Sequence, residues 1–338
     1  MSPTRKQALT AVSGAAALAS IGVLRFPASA AEFDFKLGND QTETHPMTVE
    51  SVAAAKRVLE ATGGRLDIRV FPASALGGDP QMLAQARSGA LELLQIGNNV
   101  AANVVPVAAL ESIPFAFASY KQLMGAADGA LGAHIGAALG KVGLRAFART
   151  FYGGAFQIET RSAAVETPED LKGVKIRVPP GPIDVATFKA FGASPAVLSL
   201  VDVYSSLQTH LVDAIEVPLP TIENFKFYEQ IKFCALTRHA NLIYVMVANP
   251  DAWAKLPKTL QEIVDREFAV AAQRASAAML ASEESIESSL RARGIVFNRP
   301  APEPFRRAIR EAGLYPKWRD AYGAEGWGLL EKAVGKLL

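Results

Sequence analysis

With 338 residues, half of them apolar and a fifth charged, the chain is long enough for two hydrophobic cores; its composition is that of an ordinary globular protein, not of a disordered segment or a repeat array. Its 35 basic and 33 acidic residues give a formal charge of +2, but Arg5, Lys6 and Arg25 fall in the first thirty residues, which hold no acid; without them the balance is 32 against 33, net −1. No dense basic patch is visible, which argues against a nucleic-acid partner, and the lone Cys234 excludes an internal disulfide.

The N-terminus pairs Arg5-Lys6 with the short apolar run AVSGAAALASIGV and then the small residues Ala28-Ser29-Ala30. That order reads as a signal peptide over residues 1–30, too short and alanine-rich for a membrane anchor, and predicts an exported mature chain. A lysine stands where a twin-arginine signal has its second arginine, so both export routes remain open.

Downstream, FDFKLGND alternates like a strand and HPMTVESVAAAKRVLEATGG reads as a helix closed by Gly63-Gly64. RLDIRVF, DPQMLAQARSGA and ALELLQIG continue as strand, helix and strand, ending in the polar pair Asn98-Asn99. This is the grammar of an α/β layer with a largely parallel sheet. Strand character returns across 144–160, where Gly153-Gly154 permits a bend. TPEDLKG then forms a capped turn, and VKIRVP, IDVATFKAFGA, ASPAVLSL and VDVYSSLQTHLVDAIEVP repeat the strand and helix alternation. NLIYVMVAN is a further apolar strand returning to the first layer. From 255 to 293 one long helix, or two nearly continuous ones, is expected; its alanine-filled apolar positions keep no clean heptad, so a dimerising coiled coil is the weaker reading and the chain is taken as a monomer. The predicted fold is therefore α/β with two lobes. Lobe I comprises 31–158 and 240–280, lobe II 159–239, and helical segments of 294–338, with Trp318 and Trp327, pack against them. A ligand cleft lies between the lobes, at the strand ends.

Chemistry beyond binding finds no support. The four histidines have no H-E-x-x-H spacing, there is no cysteine pair for zinc, and neither a G-x-S-x-G elbow nor a phosphate loop occurs. Neither metal nor cofactor is expected. Cys234, within IKFCAL, reads as a small buried hydrophobe. Arg177 stands out. Alternation puts Val174, Ile176 and Val178 on one face and Lys175, Arg177 and Pro179 on the other, with Arg177 at the strand end. Its planar fork suits a carboxylate. Spacing alone leaves three roles open: ligand binding, a structural ion pair, or solvent exposure.

TPEDLKGVKIRVP, FGASPAVLSLVDVYSSLQTHLVDAIEVPL and KFYEQIKF, with FPASALGG and HPMTVESV upstream, together resemble the extracytoplasmic solute-binding component of tripartite ATP-independent periplasmic (TRAP) transporters, the C4-dicarboxylate-binding (DctP) type, over residues 33–327. The resemblance implies a periplasmic receptor, not an enzyme, that closes two lobes, spanned by the long helix, on an organic acid and hands it to ion-gradient-driven membrane subunits. It places the family's carboxylate-clamping arginine at Arg177. Two departures matter. Where many members read D-G-Q-E-N-P, this chain has Asp213-Ala214-Ile215-Glu216-Val217-Pro218, and where sialic-acid-binding relatives read G-T-R-Q it has Gly154-Ala155-Phe156-Gln157, leaving Arg161 out of register. The position of the arginine in G-T-R-Q falls on Phe156 or Gln157, so polar donors are replaced by Val217 and, where Phe156 is the match, by an aromatic ring. An apolar wall rejects a second charge, so the expected ligand is a monocarboxylate with a partly apolar body (an aromatic, 2-oxo or 2-hydroxy acid) ahead of a dicarboxylate or sugar acid.

Further pocket candidates are Asn98 and Asn99 at a strand end, Tyr152 and Asn241, each also readable as a turn, packing or strand-edge residue, and His45, for which capping the first helix is the stronger reading. Glu216 reads as hinge or packing support, because an ionised acid repels an anionic ligand. An enzyme acting on an organic acid, or delivery of ligand to a sensor receptor, are the alternatives to transport.

Overall fold

The computed structural model describes residues 31–337; the export segment read from residues 1–30 lies outside them. β1 (Phe33–Gly38), β2 (Leu66–Phe71) and β3 (Leu93–Gly97) run parallel, with β1 in the middle. Parallel neighbours cannot be joined by a tight turn. The helices Pro46–Ala61 and Asp79–Ser88 therefore make the two crossovers.

After the helices Tyr120–Ala127 and Ala130–Lys141 come β4 (Arg145–Ala146) and the ten-residue β5 (Phe151–Thr160), buried along its whole length. β6 (Lys175–Val178), β7 (Ser194–Val197) and β8 (Ala214–Pro218) form the second parallel group, with β6 between the other two. β9 (Phe233–Ala235) pairs with β5. β10 (Asn241–Ala248) then returns to the first group, antiparallel to β3 and to β5. The strand order is β2-β1-β3-β10-β5-β8-β6-β7.

β5 is the shared element of the two lobes. Residues 151–155 pair with β10 and residues 156–160 with β8, so the change of partner falls between Ala155 and Phe156 and puts Phe156 and Gln157 on the second-lobe side. The Gly153-Gly154 pair makes this possible. A β-carbon on Gly153 would lie 2.7 Å from Leu242 and 2.9 Å from Tyr244, while Gly154 has φ +106° with Pro218 packed on it, and the register with β10 shifts at Leu242/Ile243.

The long helix is a single one, Lys258–Ala292. Leu260, Val264, Phe268, Ala272 and Ala275, at helical spacing, enter the first-lobe core with Leu37, Val58 and Met246, whereas Ile286 and Leu290 enter the second-lobe core with Val203, Ile215 and Phe227. Polar ties follow the same division: Arg57 to Glu267 at one end, and Ser289 to Glu223 at the other. One face of the helix thus serves two cores, and the apolar stripe that could have suited a coiled coil is consumed within the chain.

The C-terminal stretch differs from the helical expectation at its start, where β11 (Val296–Asn298) adds a parallel strand to β9. The helices Pro302–Glu311, Leu314–Tyr322 and Ala324–Val334 follow, with Trp318 and Trp327 buried against the first-lobe helices. Cys234 is fully buried.

Candidate functional site

Short local rules deliver Arg177 to its position. The Asp170 carboxylate accepts from the backbone amides of Glu166 and Thr167, both at 2.8 Å, a capping box that starts the turn Pro168–Leu171 just before β6. Ile176 and Val178 are sealed in the core, and Arg177 turns to the opposite face, where the chain leaves β6 through Pro179-Pro180. Its side chain is 3 % exposed. Nε donates to the Leu198 carbonyl at 2.9 Å, and among the described residues no carboxylate lies within 4.0 Å of the guanidinium. Of the three roles left open by the sequence, solvent exposure and a direct ion pair are both absent here.

The guanidinium lines a cavity of about 30 Å³ between the lobes, room for about one water-sized group. The second lobe contributes Arg177, Phe156, Val217 and Leu200, a mostly apolar wall. The first lobe faces it with Asp40, Gln41, Asp79, Asn99 and Tyr244. The lobes meet tightly around it. Asn99 Nδ2 donates to Asp184 Oδ2 at 2.9 Å across the cleft, Asn103 Nδ2 to the Pro180 carbonyl at 2.5 Å, and a β-carbon on Gly78 would fall 2.6 Å from Ser199 Oγ.

The electrostatics are lopsided, with one cation among several buried acids. Burial lowers the Arg177 pKa, opposed by the charges of Glu216, Asp79, Asp40 and Asp184. Burial pushes Asp40 up to about 6, against the pull of Tyr244, Gln41 and Arg177. Asp79 rises well above the usual carboxyl range through burial and the neighbouring Asp40 charge. Burial also raises Glu216 to about 8 and Asp184 well above its ordinary value. Glu216 lies 2.8 Å from His239 Nε2, and burial holds that imidazole down at about 4. Both shifts run against the charged forms, so burial weakens the ionic character of this contact.

Residues 37–321 match the family model described as "Bacterial extracellular solute-binding protein, family 7". The chain belongs to that family. It is 32% identical to the 2,3-diketo-L-gulonate-binding periplasmic protein YiaO of Escherichia coli K12 over 73% of this chain and 75% of that one. Among solved structures it resembles a TRAP periplasmic solute-binding protein from Sulfitobacter sp. NAS-14.1 with bound β-D-galacturonate, at 25% identity and a TM-score of 0.84 over 89% of this chain and 99% of that one. A TRAP periplasmic solute-binding protein from Sulfurospirillum deleyianum with bound succinate is 26% identical with a TM-score of 0.83, covering 90% and 98%.

Within this family 7 solute-binding protein, four residues singled out from the sequence converge on the interlobe cavity: Arg177, Phe156, Val217 and Asn99. The others are placed elsewhere. Gln157 turns inward, its Nε2 donating to the Ala155 carbonyl and its Oε1 accepting from the Arg238 amide. Asn98 donates to Glu111 and borders a separate cavity of about 490 Å³ beside β4, which Arg177 does not reach. Tyr152 packs edge-on against Tyr120 and lies 3.4 Å from Glu283. Asn241 opens β10, and its carbonyl accepts from Ser112. His45 caps the first helix, Nδ1 accepting from the Met47 amide, with burial holding its pKa near 3. Glu216 stands behind the wall, engaged with His239. Arg161 is tied to the Leu207 carbonyl.

Sequence reading missed Asp40, Gln41, Asp79 and Tyr244. A signal for the first three was available. Asp40 and Gln41 follow the C-terminal end of β1, and Asp79 follows Gly77-Gly78 at the start of a crossover helix; both are ligand-facing positions of a parallel sheet. Tyr244 sits inside an apolar strand and carries no local mark.

Proposed function

We propose that this chain is the periplasmic solute receptor of a TRAP transport system. It binds a small organic acid with Arg177 as the carboxylate anchor and passes it to the transporter's membrane subunits. The observation that carries this reading is a buried guanidinium, facing an interlobe cavity, whose terminal nitrogens have no carboxylate within 4.0 Å among the described residues. A desolvated arginine requires an anion, because leaving it unpaired costs several kcal/mol. The names of its relatives favour solute binding over catalysis, and residues 1–30 serve as the export signal. The lobes divide within β5 and again before β10.

The ligand is a monocarboxylate. Among the described residues one arginine lines the cavity, and the opposite wall carries Asp40 and Asp79, so a second carboxylate would meet acids of its own sign. Phe156, Val217 and Leu200 supply the apolar side expected from the sequence. The acidic far wall, which that expectation lacked, restores a polar head group. A hydroxylated acid fits it, in keeping with the galacturonate held by one solved relative.

Binding measures this directly. Isothermal titration calorimetry of the mature protein with hydroxylated or aromatic monocarboxylates and with succinate is expected to show tight binding only among the former. Tight binding of succinate alone refutes the monocarboxylate assignment.

A further inference from the structure

Arg177 is only half of the cavity's unmet demand. Directly across from it, on the first lobe, Asp79 is 5 % exposed and lines the same cavity. Among the described residues, no donor hydrogen-bonds to its carboxyl and no cation lies within 4.0 Å. Its neighbour Asp40 is scarcely better supplied, accepting from Tyr244 Oη and Gln41 Nε2, both at a long 3.3 Å. Asn99 adds a third acceptor, since its Oδ1 is buried and unpartnered while its Nδ2 is committed to Asp184. One wall therefore presents a cation with no carboxylate within 4.0 Å among the described residues, and the other presents acceptors with only long hydrogen bonds or none.

Resting on the carboxylate-anchor reading above, we propose that the ligand is dipolar: its carboxylate meets Arg177 and a protonated amine at its other end meets Asp79 and Asp40. Charge balance favours this over an anion with a neutral head. A plain monoanion satisfies Arg177 and leaves the acidic wall with nothing but hydroxyl donors. Burial raises Asp40 to about 6 and raises Asp79 as well, with the Asp40 charge adding to the effect on Asp79. A cation placed against the two carboxyls relieves both the desolvation and their mutual repulsion. The other acids near Arg177, Asp184 and Glu216, are engaged with Asn99 and His239 and do not line the cavity. Apolar Phe156, Val217 and Leu242 line the same cavity; as its present volume holds only about one water-sized group, a ligand's carbon skeleton takes its place beside them only as the lobes part.

The test uses matched pairs that differ only in amine against hydroxyl: glycine and glycolate, 4-aminobutanoate and 4-hydroxybutanoate, phenylalanine and phenyllactate, glucosaminate and gluconate. Calorimetry is run on the mature chain at neutral pH. At least one amino member is expected to bind about tenfold or more tighter than its hydroxyl partner, since loss of one charged pair in a desolvated site is at least of that size. Asp79→Asn and, separately, Asp40→Asn are expected to erase that preference to within about threefold, with folding checked by circular dichroism because Asp79 heads a helix. Arg177→Ala should weaken both members of the pair.

Three results overturn the proposal: hydroxyl members binding as well or better in every pair, amine binding undiminished in both aspartate variants, or no amino member binding while another carboxylate does. If the preferred carboxylate still depends on Arg177, the proposed function survives without the dipolar ligand. If Arg177→Ala binds normally, the function itself is wrong.

Discussion

Replacing Arg177 with alanine is the most informative single change. The side chain is 3 % exposed, held by one bond to the Leu198 carbonyl, and free of any carboxylate within 4.0 Å among the described residues. Its removal should therefore affect ligand binding far more than folding. In the unliganded protein the substitution relieves the desolvation of a buried cation and leaves one carbonyl without its donor, opposing effects of which the second is about 1 kcal/mol. With ligand bound it removes charge-assisted hydrogen bonds in a site closed to water, worth about 2–5 kcal/mol. At about 1.4 kcal/mol per factor of ten, affinity should fall about thirtyfold to several thousandfold. Arg177→Lys keeps the charge but loses the planar fork, and should fall between the two. Titration calorimetry with the best-binding carboxylate gives the affinities, and thermal melts of the same samples show that folding is retained. An affinity for Arg177→Ala within about threefold of the parent refutes the reasoning.

Stability should fall as pH rises from about 6.5 to 8.5. Glu111 and Glu216 both have folded pKa values raised to about 8, so the native state holds protons that the unfolded state has released; their contribution is complete below the ordinary glutamate pKa and is lost on the way up through about 8. His45 and His239, depressed to about 3 and about 4, act oppositely but only below the ordinary histidine pKa. Thermal midpoints across that range, with Glu216→Gln expected to flatten the slope, check it; a rising midpoint contradicts it. Gly154→Ala should cost about 1–3 kcal/mol in urea denaturation, because φ +106° is strained for any side chain and Pro218 leaves no room. Asn99→Ala removes an interlobe hydrogen bond worth about 0.5–1.5 kcal/mol, so affinity should drop about two- to tenfold and small-angle scattering should report a larger radius for the unliganded protein. Unchanged scattering and affinity would mean that Asn99–Asp184 does not hold the lobes together.

The alternating α/β order, a long helical stretch from 255 to 293 and the anomaly of Arg177 are legible along the chain, because each rests on local periodicity or on chemistry one residue carries alone; that the stretch is one unbroken helix is a tertiary result. A charged residue between Ile176 and Val178 is visible as an interruption wherever the strand lies. Tertiary structure alone decided which neighbours share its cavity. Phe156 and Gln157 are adjacent in the chain, yet only Phe156 reaches the cleft, since successive residues of a strand face opposite ways and the partner change within β5 sets which face is which. Asn98 and Asn99, the first two residues of the short helix after β3, also part company, one towards Glu111 and the other across to Asp184. Asp40, Asp79 and Tyr244, which face Arg177 across the cleft, come from three separated elements, and no spacing along the chain encodes that meeting. Closure of two lobes on one another brings them together, through long-range contacts to which a linear pattern is blind.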